Sequence, residues 1–207
     1  MMARETFPRR LHIHEVKADI VLRRHEAVTG EAVGLPVPIE DIIERTMGLS
    51  ILYDEIEEPA GTKILGALSP SDRLIVLNEQ HVDLFEEVVG PEKFTLAHEL
   101  GHWLYDAEDP NQLSFDFTAS TDDVFCYHRD GSEKLSDTAR IREINANGFA
   151  SCLLMPKHLI MAASISEVLA DFRSTAREWG VSQQSLRIRL EKLDLIDERD
   201  LHQLNMM

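Results

Sequence analysis

His98, Glu99 and His102 stand in the order His-Glu-x-x-His inside residues 95–105, TLAHELGHWLY. Four residues make just over one turn of an α-helix, so the two imidazoles leave the same face and can meet on one cation at the ~2.0–2.1 Å of a Zn–N bond. Glu99 leaves the helix about 100° away from His98. That keeps its carboxylate out of the ligand pair and beside the open metal position, where it can take a proton from water as a general base. The chemistry implied is metal-assisted hydrolysis, with zinc the expected ion and manganese an alternative.

Catalytic zinc typically takes three protein ligands and leaves a fourth position for water or substrate, so a third donor must come from elsewhere in the chain. Metzincins use a histidine six residues after the second. Here that position is Glu108, and Tyr105 stands where the glycine of that pattern belongs. Asp106, Glu108, Asp109, Glu133 and Asp137 are all candidate carboxylates. Glu143 is another. It lies in residues 140–156, RIREINANGFASCLLMP, which read as an amphipathic helix with Ile144, Phe149, Leu153 and Leu154 toward its apolar side and Pro156 as its stop. Asn147 follows Glu143 by one turn, placed to orient that carboxylate or to accept the free N–H of a liganding histidine.

The elements that must position these groups are also visible. Gly90-Pro91 supplies a break and then a residue suited to the first helical position, and Glu92 favours the positive end of the helix. Phe94, Ala97, Leu100, Gly101 and Leu104 recur at helical spacing as a buried side. Glycine at 101 costs roughly 1 kcal/mol of propensity relative to alanine, which suggests close approach by another backbone. Residues 51–53, 63–68 and 73–77 are short apolar runs that read as strands, the last two joined by the turn residues Ser69-Pro70-Ser71-Asp72. An exposed edge of such a sheet can add an extended peptide, or the strands can simply support the helix. A helix is expected to begin after Pro38 and end near Gly48. The first thirty residues read as a short extended piece followed by a helix, with His12 and His14 alternating as on a strand face and assigned to the surface. Residues 111–137 are polar and turn-rich, with one β-like stretch at 124–128, consistent with a lobe or flap beside the cleft. Tyr105, Tyr127 and His128 are candidates to hydrogen-bond the transition state, packing being the simpler role for each, and Cys126 is a candidate inhibitory fourth ligand.

The run FTLAHELGHWL followed by E-x-x-A-N-x-F-A-x-x-L-L-M-P resembles the ImmA/IrrE family of cytoplasmic zinc metallopeptidases. The likeness extends more weakly over residues 30–196, through Pro36-Val37-Pro38, Ile75-Val76-Leu77-Asn78 and Leu186-Arg187-Ile188-Arg189-Leu190. It implies a gluzincin-like site with His98, His102 and Glu143 as ligands and Glu99 as base. It also implies a protein substrate, a helix-turn-helix transcriptional repressor cleaved in a stress, mobile-element or toxin-antitoxin response. The fold expected is α+β, a small antiparallel or mixed sheet packed on the active-site helix. The expected organisation is an N-terminal extension at 1–29, a metallopeptidase domain at 30–160 and a helical, helix-turn-helix-like segment at 161–207 docked on it.

Composition bounds the same reading. A formal net charge of −16 over 207 residues argues against general binding to nucleic acid or anionic membrane and favours a basic partner surface. Cys126 and Cys152 make no disulfide framework, and neither an 18-residue apolar run nor a signal-peptide core is present, so a cytoplasmic protein is expected. The competing function lies in residues 174–195, where a helix, a glycine turn and a second helix carry Arg187, Arg189 and Lys192. Were this segment a DNA reader, Gln183, Gln184 and Arg187 would contact bases, and the metal site would be degenerate or structural. Glu191, Asp194, Asp197, Glu198 and Asp200 weigh against it, as does the use of Leu186, Leu190 and Leu193 in packing. A non-proteolytic metal-bound interaction module is a third reading. Glu99 discriminates against both, since a structural site needs no base.

Overall fold

The structure, a computed structural model, describes residues 6–106 and 137–204. At its centre α4 (Pro91–Asp106) packs along α5 (Asp137–Leu154). Gly101 is where they come closest: a Cβ there would lie 2.9 Å from Ala146 Cα and 3.2 Å from its carbonyl oxygen, so the backbone approach expected of this glycine is present. Phe94, Ala97 and Leu100 are buried on the same helix, as are Phe149, Leu153 and Leu154 on α5.

Among the described residues three strands form one sheet, β1 (Ser50–Asp54), β2 (Gly66–Ser69) and β3 (Leu74–Asn78), in the order β1-β3-β2, with β2 and β3 packed on α4. β1 runs parallel to β3 and β2 antiparallel to it, which makes the sheet mixed and, among the described residues, leaves β1 and β2 as its edges. The β2–β3 hairpin turns at the anticipated residues and ends on Arg73, held at φ 53°. Its guanidinium donates to the carbonyls of Met47 (2.7 Å) and Gly48 (2.9 Å) and lies 5.1 Å from the Trp103 ring of α4. One side chain thus ties the sheet to two helices. β2 starts at Gly66, later than the apolar run beginning at Lys63. The reason lies in side chains: Glu58 accepts from the Ile64 amide (2.6 Å) and the buried Asn78 amide donates to the Ile64 carbonyl (2.9 Å), so they occupy backbone groups a longer ladder would use, and Ile64 keeps only an isolated bridge.

Ahead of the sheet, α2 (Ile39–Asp41) continues as a π-helical segment, Ile42–Met47, which Gly48 ends at φ 64°. The described part of the first thirty residues differs from the sequence reading. It forms one helix, α1 (Thr6–Thr29), with no extended piece among the described residues. His14, Ala18, Val21, Leu22 and His25 are all buried, at spacings of four, three, one and three, which is a helical stripe and not a strand alternation. His12 is exposed, but His14 is 4% exposed and belongs to the interior, contrary to its surface assignment.

Past α5 come α6 (Lys157–Ala162), α7 (Ile165–Ala170), α8 (Phe172–Glu178), α9 (Gln183–Lys192) and α10 (Glu198–Leu204). The α8–α9 connection has the helix-turn-helix form, with Gly180 at φ 70° and the Ser182 hydroxyl accepting from the Ser185 amide. Leu186 and Leu190 of α9 are fully buried in the core that also holds Ala18 of α1, Leu100 of α4 and Phe149 of α5. The fold is α+β, mostly helical around the small mixed sheet.

Candidate metal centre

Successive turns of α4 stack His98 and His102 with their Nε2 atoms 3.0 Å apart and their rings edge to face at 79°. Across the Gly101–Ala146 contact, α5 delivers Glu143 between them. Its Oε2 lies 3.3 Å from His98 Nε2 and its Oε1 3.2 Å from His102 Nε2, and the three ligand atoms fall within 4.8 Å of one another. One turn further along α5, Asn147 Oδ1 accepts from His98 Nδ1 at 3.0 Å. With the proton on Nδ1, the lone pair of His98 Nε2 faces Glu143 and His102.

This donor set suits a divalent cation. Two imidazole nitrogens and one carboxylate converge in a site where His98, Glu99 and His102 are at most 3% exposed. Such a cluster of lone pairs in a low dielectric is unfavourable without a positive charge among them. Burial pushes the Glu143 carboxyl upward, yet its hydrogen bonds with His102 and His98 prevail and hold its pKa at about 2. The N₂O composition is one that zinc accepts while keeping a position open.

Of the five residues picked from sequence for this site, His98 and His102 on α4 and Glu143 and Asn147 on α5 are brought together, and Glu99 lies on α4 between the two histidines in sequence. Glu99 is 2% exposed, one residue beyond His98. Of the competing carboxylates, Asp106 is the last residue of α4, and Asp137 opens α5 in an exposed position, outside the grouping found among the described residues. Glu108, Asp109, Glu133, Cys126, Tyr127 and His128 lie outside the described residues. Tyr105 has a packing role: its hydroxyl is bonded to His14 Nδ1 at 2.7 Å, its ring meets Phe149 edge-on, and Lys17 Nζ sits 4.3 Å from its centroid. Burial raises its pKa to about 12. His14 was missed from sequence, although the spacing of residues 14, 18, 21, 22 and 25 was the signal that could have found it.

The C-terminal candidates are placed differently from a DNA-reading helix. Gln183 is exposed, and Arg187 is half-buried with its Nε 3.5 Å from Glu191. Arg189 is fully buried: it donates to the Met155 carbonyl (2.9 Å) and to both carboxylate oxygens of Glu15 on α1 (2.6 and 3.0 Å). The turn leading into α9 abuts the start of α4, since a Cβ on Gly90 would stand 2.6 Å from the Ser182 amide nitrogen.

No curated protein matches the chain. Residues 56–191 match the Peptidase_M78 family, described as an IrrE N-terminal-like domain, a span that covers more than half of the 207 residues and contains His98, Glu99, His102, Glu143 and Asn147. The chain belongs to the Peptidase_M78 family of peptidases, and its His98–His102–Glu143 group is one that could bind the metal such a peptidase depends on.

Proposed function

We propose that the chain is a zinc-dependent endopeptidase, with manganese as the alternative ion, that acts in the cytoplasm on a regulatory protein. The observation that carries this reading is the convergence of His98, His102 and Glu143 with Glu99 buried beside them. A divalent ion held by the three ligands supplies Lewis acidity, polarising a scissile carbonyl and acidifying water. The chain's own groups do the rest. Glu99 accepts the proton of the attacking water and returns it to the departing amine, a task for a carboxylate that is near the ligands without being one of them. Asn147 fixes the tautomer and ring angle of His98, and Glu143 balances charge while anchoring α5 to the site.

The substrate class rests on the resemblance to ImmA/IrrE peptidases: a helix-turn-helix transcriptional repressor cut in a stress, mobile-element or toxin-antitoxin response. The net charge of −16 is compatible with it, because a DNA-binding repressor offers a basic surface. The reading as a DNA-binding regulator loses support from α9, whose Arg189 is committed to Glu15 inside the protein.

The test is incubation of the zinc- or manganese-loaded protein with repressors encoded beside it, followed by gel electrophoresis and mass spectrometry. A defined cut is expected with the wild type. Glu99→Gln should keep about one metal per chain and lose cleavage, since an amide preserves shape but cannot take the proton. A Glu99→Gln protein that cuts at near the wild-type rate would assign the base to another group.

A further inference from the structure

α1 lies outside the span that matches the peptidase family, yet it touches both site helices. His14 is the point of contact. Its Nδ1 is bonded to the hydroxyl of Tyr105, three residues beyond His102 on α4. The other edge of its ring lies against Gly148, next to Asn147 on α5: a Cβ on Gly148 would come within 2.4 Å of His14 Cδ2 and 2.7 Å of its Nε2. Lys17, one turn along α1, donates to the Leu104 carbonyl at 3.3 Å and lies over the Tyr105 ring, so a cation meets the C-terminal end of α4 where the helix dipole favours it.

We propose that His14 is a positioning residue for the metal centre: wedged between Tyr105 and Gly148, it sets how α4 and α5 sit against each other where they hold His102 and Asn147. The physical reason is leverage. The ligands come from two helices, and Gly101 removes the side chain that would otherwise keep them apart, so their spacing at the C-terminal half of α4 depends on what is inserted there. A buried, hydrogen-bonded ring in contact with both helices is a rigid spacer. Adjacent Glu15 fixes the register of that spacer through its bond to the buried Arg189 of α9. Neither His14 nor Tyr105 touches the ion or the substrate in this scheme; they act through His102 and Asn147.

The inference rests on the metal-site reading, and its test separates the two. Zinc affinity of the full chain is measured by competition with a chelating dye at neutral pH, and thermal unfolding of the metal-free protein is recorded alongside. His14→Leu keeps apolar bulk without the hydrogen bond, Tyr105→Phe removes the other partner, and His14→Gln restores a group that can bond the tyrosine hydroxyl. Zinc affinity should fall about tenfold in His14→Leu and in Tyr105→Phe, a loss typical of groups that support a ligand. The double variant should lose no more than either single one, and His14→Gln should recover most of the affinity. A His14→Leu protein that melts earlier but binds zinc like the wild type would overturn the proposal, reducing His14 to a packing residue. A Tyr105→Phe protein that binds zinc like the wild type would overturn it too, since the bond that holds the ring between the two helices would then be irrelevant. A wild-type chain that binds no zinc would instead remove the metal-site reading itself.

Discussion

Exchanging Glu143 for glutamine keeps the shape of the side chain and removes the charge that His98 and His102 face. A neutral amide oxygen is a poorer zinc ligand than a carboxylate, so Glu143→Gln should weaken metal binding and abolish cleavage. Asn147→Ala removes only the acceptor for His98 Nδ1, and its loss should be the milder, roughly 10–100-fold in affinity or activity. Metal analysis beside a cleavage assay gives the order of the two, and the reverse order would mean that Glu143 is not the third ligand. Cys152 supplies an independent check at the same scale. Burial, resisted by the nearby Arg189 cation, pushes its thiol up to about 12, so it is neutral throughout the physiological range. In a Cys126→Ser background Cys152 should remain unlabelled by a thiol reagent at neutral pH until denaturant unfolds the chain.

Two contacts between elements invite direct measurement. Gly101→Ala should gain roughly 1 kcal/mol of helix propensity in isolation. In the folded protein the added methyl would stand 2.9 Å from Ala146 Cα, and overpacking of this kind typically costs about 1–3 kcal/mol. The steric term is the larger, so urea unfolding should show a net loss of stability, accompanied by weaker metal binding because α4 and α5 carry the ligands. Arg189 joins α9 to α1 and α5. Its guanidinium is fully buried while Glu15 retains 20% side-chain exposure, so breaking the pair leaves one partly hydrated charge behind. Arg189→Met is expected to destabilise by about 3 kcal/mol, toward the low end for a severed buried pair. Equilibrium unfolding monitored by circular dichroism measures it.

For the molecule as a whole, a continuous apolar core runs from α1 through the site helices to α9, and the helix-turn-helix form of α8–α9 is built into it. The turn that leads into α9 faces Pro36 at Gly180 and Gly90 at Ser182, and Arg189 points inward. Binding that depends on phosphate contacts is also opposed by the net charge of −16. Gel shifts at physiological salt should therefore show no sequence-specific DNA binding, and Gln184→Ala and Arg187→Ala should leave that result unchanged. Specific binding abolished by these substitutions would instead make DNA recognition the primary activity. Among the described residues no helix is long and apolar enough to cross a membrane.

The local parts of this protein were legible because they follow from spacing along one helix. His98 and His102 are four apart, and any α-helix through them stacks their rings; Gly90-Pro91 starts that helix, Gly48 ends an earlier one, and Ser69–Asp72 turns a hairpin, each through the backbone preference of its own residues. The strand start at Gly66 was not, because it is set by which side chains, those of Glu58 and Asn78, fold back onto the Ile64 backbone, and no spacing rule foretells that. The same distinction separates His102 from Glu143. No spacing argument joins them, and a family likeness was needed to prefer Glu143 over five other carboxylates before the α4–α5 packing brought it within 3.3 Å of both histidines. His14 was assigned to the surface, and the burial of Arg189 was not foreseen, for a related reason: histidine and arginine are ordinarily surface residues, and only the tertiary structure supplies the partners, Tyr105 and Glu15, that make burying them favourable.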